Sequence, residues 1–205
     1  MTSVDPLLHN GLAAAHSSLA ASLWVQRWSH LVAPGGTVLD VACGQGRHVR
    51  WFAGRGHPVA GVDHAQQALD ALADLAGDGS AQLVQADIEN GSWPFMDGGQ
   101  PRRFDVVVVT NYLWRALLPT ILQSLAPGGV LLYETFAIGN ETVGKPSRPD
   151  FLLLPGELLR LCAGLRVVAF EDGFCEHPAR FVQRIAAVAP DVPGRMYDSR
   201  FLLRL

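Results

Sequence analysis

Asp40, Asp63 and Asp87 each stand at the end of an apolar run, and the first is followed by a turn that carries Gly44 and Gly46. In that stretch, "VLDVACGQGRH", the glycines let backbone come close to a ligand while amide N–H groups point at it, which suits a nucleotide-like group. A dinucleotide fingerprint wants a third small residue where Val49 stands and does not set an acid such as Asp40 before the first glycine. A nicotinamide dinucleotide therefore fits poorly. Three carboxylates at successive strand ends suit a ligand with a cationic or amine end, a ribose diol and an amino-bearing base.

The elements that must hold these groups follow from hydrophobic periodicity and breakers. Residues 37–42 read as a strand and 47–53 as a helix closed by Gly54 and Gly56. "HPVAGVD" is a second strand, "AQQALDALADLA" one helix, and "AQLVQAD" a third strand. A polar, Gly-rich loop spans 90–103, and "FDVVVVT" is apolar on both faces, as a central parallel strand covered on both sides must be. Residues 112–126 form a helix ended by Pro127-Gly128-Gly129, and "VLLYETF" is a fifth strand. Strand and helix alternate five times, the signature of a doubly wound α/β sheet, whose ligands sit beyond the carboxyl ends of the strands. An N-terminal helix is expected over 17–31 and a last helix over 155–163. The runs "LRVVAFED" and "ARFVQRIAAVA" are joined by a short loop at 173–178, so they pair antiparallel.

S-adenosylmethionine has the amine end, the diol and the amino-bearing base that the three acids ask for. The chain resembles a class I S-adenosylmethionine-dependent methyltransferase over about residues 38–132: "LDVACGQGRH", "GVD", "ADIEN", "FDVVVVTNYL" and "LAPGGVLLYETF" fall in the order and spacing of that family's motifs. Within the class the "CGQGR" turn is similar to the tellurite-resistance-type bacterial methyltransferases. The resemblance implies a Rossmann-like doubly wound seven-stranded sheet of order 3-2-1-4-5-7-6 with strand 7 antiparallel. It implies that Asp40 anchors the methionine amino end, that Gly44 and Gly46 leave room for the cofactor, and that Asp63 accepts from the ribose hydroxyls. Asp87 would accept from the adenine amino group, Ile88 pack on the ring, and Asn111 line the floor.

The acceptor side is less marked. "TNYLWR" departs from the Asn/Asp-Pro-Pro-aromatic sequence with which many DNA and protein amino-methyltransferases grip a planar nitrogen. Tyr112 and Glu134 are the nearest phenol and carboxylate by sequence and so the candidate catalytic groups, since a protonated acceptor gains from a base. Residues 139–150 form a long Gly/Pro/Asn-rich loop, the candidate substrate lid. The chain of 205 residues, 49% of them hydrophobic, is expected to fold as one domain: a helical cap over 1–33, a cofactor core over 37–137, and the lid loop, last helix and strand pair over 138–205.

Net charge is −3, so no global basic field recruits nucleic acid, although residues 145–205 hold nine Arg/Lys against seven Asp/Glu. No apolar run reaches the ~18–20 residues of a membrane span and the first residues lack a secretory pattern, so a cytoplasmic protein, monomer or homodimer, without membrane contact is expected. Cys43, Cys162 and Cys175 are odd in number and widely spaced, which fits reduced thiols rather than disulfides. Cys43 reads as a packing residue, and Cys175 with His177 lacks the second half of a metal site. A small-molecule acceptor is expected. An RNA or protein methyltransferase, and a non-catalytic module that keeps the cofactor fold, are the alternatives.

Overall fold

The computed structural model describes residues 20–191. Within these residues nine strands form, β1 (Val38–Val41), β2 (Val59–Asp63), β3 (Ala81–Gln85), β4 (Met96–Asp97), β5 (Gln100–Pro101), β6 (Phe104–Thr110), β7 (Leu125–Phe136), β8 (Arg166–Glu176) and β9 (Ala179–Val188). Among the described residues six short helices cover them: α1 (Leu23–Trp28), α2 (Arg47–Ala53), α3 (Gln66–Asp70), α4 (Ala73–Gly77), α5 (Leu118–Gln123) and α6 (Glu157–Leu161). The main sheet has seven strands in the order β3-β2-β1-β6-β7-β9-β8, with β9 antiparallel to both neighbours. With the β4–β5 hairpin set aside, this is the expected order 3-2-1-4-5-7-6. The order reverses between β1 and β6, so the crevice between their carboxyl ends is where a doubly wound sheet takes its ligand.

Alternation along each strand feeds two cores. Leu39, Val41, Val107, Val109, Leu131, Tyr133 and Ile185 face α5 and α6, while Val38, Val106, Val108, Val130, Leu132 and Ala186 face α1 and α2. Helix α1 caps the second face: Trp24, Val25 and Trp28 are buried, and the Trp24 indole N–H donates to the Ile185 carbonyl at 3.2 Å. No helix among the described residues is long and apolar enough to cross a membrane.

Several elements differ from their expected form. Of the N-terminal helix over 17–31, residues 17–19 lie outside the described part, and the rest is α1 plus one tight 3₁₀ turn, Ser29–Leu31. The single helix over 65–76 is broken into α3 and α4, because Leu72 leaves helical geometry to bury its side chain against Gly46. The loop over 90–103 contains the small hairpin β4–β5, turned by Gly98 and Gly99, both at positive φ, the geometry that a two-residue hairpin turn requires. The helix over 112–126 shortens to the 3₁₀ turn Arg115–Leu117 and α5. The expected loop at 173–178 is mostly strand, since β8 and β9 pair up to Glu176 and Ala179 and leave only His177 and Pro178 as the turn.

Candidate functional site

Strand β1 stops where Ala42 turns to φ +53, and Gly44 and Gly46 follow at φ +52 and +71 before α2 begins. The two glycines serve different ends. A Cβ on Gly44 would project into open space, whereas a Cβ on Gly46 would fall inside the Leu72 side chain, which is fully buried. The turn is fastened from β2: the Gly44 amide donates to Asp63 Oδ2 at 2.8 Å and the Ala65 amide to Asp63 Oδ1 at 2.9 Å. Asp63 thereby braces the turn from the neighbouring strand while keeping lone pairs free.

Three cavities meet at the crevice. One of about 450 Å³ is lined by the turn, Arg47, Thr110, Asn111 and Tyr112. A second of about 520 Å³ is lined by Asp63, Asp87, Ile88, Glu89 and Tyr112 among others. A third of about 200 Å³ lies between Glu89, Asn111, Tyr112, Thr135, Phe136, Pro146 and Phe151. Tyr112 borders all three. It follows Asn111, whose left-handed φ of +54 turns the chain out of β6, and its carbonyl accepts from the buried Tyr133 hydroxyl at 2.9 Å. Burial, with Glu89 beside it, raises the Tyr112 phenol above its ordinary pKa.

Asp87 holds its own loop, accepting from the Asn90 side-chain amide and from the Asn90 and Glu89 backbone amides, and those bonds keep its carboxyl below the usual carboxylate range. Asp40 is different. It is buried, and its Oδ2 has no hydrogen-bond partner among the described residues. Burial lifts its pKa to about 8, against the lowering effect of Arg47 nearby.

Of the expected site residues, Gly44, Gly46, Asp63, Asp87, Ile88, Asn111 and Tyr112 line these cavities, and Asp40 lies just beneath the turn. Glu134 does not line them, which corrects the expectation of a base there. Alternation along β7 turns its side chain to the α1 face, where Arg180 and Arg184 pair with it at 3.5 and 3.2 Å. Cys43 is buried against Gly61, and burial raises its thiol pKa, so packing is its role. Cys175 accepts from the Arg184 guanidinium, and among the described residues no cluster of three His, Cys, Asp or Glu could hold a metal. The start of the loop over 139–150 is anchored, because buried Asn140 accepts from the Phe181 amide and donates to the Pro146 carbonyl. Sequence reasoning missed Arg47, Thr110, Glu89 and Phe151, while Pro146 falls inside the loop expected as the lid. Arg47 directly follows the second glycine, a position that was legible; Pro146 and Phe151 are brought in only by the chain's return from β7.

The geometry fits a bipartite ligand. The turn offers close backbone, the Asp63–Asp87 side offers acceptors beside the apolar Ile88, and the orphaned Asp40 oxygen lies next to the turn. Residues 38–129 match the family model of a methyltransferase domain. A ubiquinone biosynthesis O-methyltransferase of Paraburkholderia phytofirmans is 32% identical over 117 residues, which are 55% of this chain and 48% of that protein. The chain thus spans about half the length of the curated relative it matches. Among solved structures it is similar to TehB from Haemophilus influenzae, with TM-score 0.62 and 19% identity over 80% of this chain and 61% of that one. It is also similar to an S-adenosylmethionine dependent methyltransferase from Mesorhizobium loti, with TM-score 0.63 and 17% identity over 83% of this chain and 99% of that one. At these identities the structural likeness is one of fold.

Proposed function

We propose that this chain, whose residues 38–129 match the model of a methyltransferase domain, is a class I S-adenosylmethionine-dependent methyltransferase that binds S-adenosylmethionine and transfers its methyl group to a small-molecule acceptor. The observation that carries this reading is the junction at Tyr112, where the cavity of the glycine turn, the cavity of the strand-end acids and a smaller third cavity adjoin. Bound cofactor supplies a methyl group already activated by its sulfonium, so the protein's main task is to hold an acceptor in line with it. Asp63 receives the ribose hydroxyls, Asp87 the adenine amino group, and Ile88 packs on the ring. Gly44 leaves the space that the methionine portion occupies, and Asp40 meets its amino end.

The third cavity takes the acceptor. Its volume of about 200 Å³ suits a compact molecule, and the name of the O-methyltransferase relative supports the same class. Tyr112 keeps its proton at neutral pH and so orients the acceptor by donating a hydrogen bond rather than by removing a proton. With Glu134 turned away, Glu89 is the carboxylate that lines this cavity. Pro146 and Phe151 close its outer side, which is the lid role left to the loop after β7.

Calorimetry with S-adenosylhomocysteine and incubation of a size-fractionated cell extract with methyl-labelled cofactor test the assignment together. Binding, with label appearing in the small-molecule fraction, is expected. Absence of binding would overturn the cofactor, and label confined to RNA or protein would overturn the acceptor class.

Asp40 makes a second expectation. With its pKa at about 8 in the free protein, the group carries a proton at pH 6.5, and a cationic amino end favours the ionised form. Binding should then release roughly one proton per site, and affinity should rise as pH climbs toward 8. Titration in two buffers of different ionisation enthalpy measures this, with the buffer dependence lost in Asp40→Asn. Equal heats in both buffers for the native protein would remove Asp40 from contact with the ligand.

A further inference from the structure

Ser22 precedes α1 and caps it, its hydroxyl accepting from the Val25 amide at 3.1 Å. In a capping box the amide of the cap residue would be met by a Glu or Gln three positions on, but that position is Val25, which has nothing to offer. The partner comes from another element. The Ser22 amide donates at 3.2 Å to Nε2 of His48, the second residue of α2. His48 is almost wholly buried, and burial together with Arg47 lowers its pKa to about 3, so the ring is neutral. A neutral imidazole whose Nε2 accepts must carry its proton on Nδ1. That Nδ1 faces Thr110 Oγ1 at 3.5 Å and Asp40 Oδ2 at 3.8 Å, and Asp40 Oδ2 is the buried oxygen without a partner. The other groups around Asp40 are the Val49 amide, Arg47, Asp63 and the Cys43 thiol.

We propose that His48 is a positioning residue that ties the docking of α1 to the cofactor site: the Ser22 amide fixes the tautomer, and the tautomer presents an N–H to Asp40. The inference rests on the cofactor reading above and deepens it. When a cationic ligand end draws Asp40 into its carboxylate form, the oxygen that lacks a partner gains one from Nδ1, and the carboxylate is held toward the turn. If α1 is undocked, Nε2 loses its donor, the tautomer is no longer fixed, and Asp40 loses its orientation. Helix α1 touches the ligand nowhere in this scheme; it acts through one imidazole.

Two substitutions divide the ring. The Gln amide in His48→Gln occupies the place of Nε2 and accepts from Ser22, but leaves nothing at Nδ1; the Asn amide in His48→Asn does the reverse. Calorimetry with S-adenosylhomocysteine and thermal unfolding are measured on both variants and on the native chain. H48Q is expected to melt close to the native protein yet bind about tenfold more weakly, the scale of one hydrogen bond to a charged group. H48N is expected to melt several degrees lower, having lost the Ser22 bond, yet to bind within about threefold of native. In an Asp40→Asn background H48Q should cause no further loss. Affinity that follows melting temperature in both variants would make His48 merely structural and overturn the proposal, as would an undiminished tenfold effect of H48Q in that background. A native protein that binds no S-adenosylhomocysteine would instead overturn the cofactor reading, so the two failures are told apart.

Discussion

Gly46→Val is expected to destabilise the fold by about 3–5 kcal/mol and to lower the melting temperature by roughly 10 °C. Two costs combine. A β-branched residue at φ +71 is strained by its backbone, and its Cβ would sit within the Leu72 side chain, which has no solvent-facing side into which to retreat. Gly44→Val meets only the first cost, because open space lies beyond its missing Cβ. That variant is expected to stay folded, melt only a few degrees lower and lose S-adenosylhomocysteine, since the side chain enters the cavity of the turn. Thermal denaturation with and without ligand separates the two glycines. A Gly46→Val protein with native melting temperature would show that Leu72 can move aside.

Asp63→Ala is expected to weaken S-adenosylhomocysteine binding by about 100-fold or more. Under the proposed function the carboxylate accepts from two hydroxyls, and charge-assisted bonds of about 1.5–3 kcal/mol each are at stake. The same change orphans the Gly44 and Ala65 amides, so the turn loosens even before ligand arrives. Isothermal titration beside circular dichroism distinguishes a folded protein that no longer binds from a collapsed turn. Retained affinity in a folded Asp63→Ala protein would remove this residue from the site.

The glycine turn and the sheet around it were legible because their residues are local in sequence. Asp40, Gly44 and Gly46 fall within seven positions, β6 is recognisable from an unbroken apolar run, and the strand order follows from the alternation of elements with a terminal antiparallel pair. The errors arise where tertiary packing decides. Nothing in "AQQALDALADLA" marks Leu72 as the residue that will be drawn onto Gly46 and break the helix. Glu134 was misjudged for a similar reason: its nearness to the strand end was evident, but which face it takes depends on the phase of alternation in β7, and its arginine partners stand some fifty residues later in β9. The role of His48 is likewise hidden from the sequence, because its link to Ser22 crosses 26 positions.

The walls of the smallest cavity have unlike origins. Asn111, Tyr112, Thr135 and Phe136 come from the ends of two central strands, with Tyr112 propped from beneath by Tyr133, whereas Pro146 and Phe151 belong to the connection between β7 and α6. One wall is therefore inherited with the sheet, and the other is replaceable. Under the proposed function, exchange of residues 141–151 for the matching connection of an enzyme with this fold should retarget methylation without refitting the donor side, provided that Asn140 is left to hold the graft in place. Acceptor choice would then, under that function, be set by a single surface segment, one that can change without touching the glycine turn or the strand-end acids.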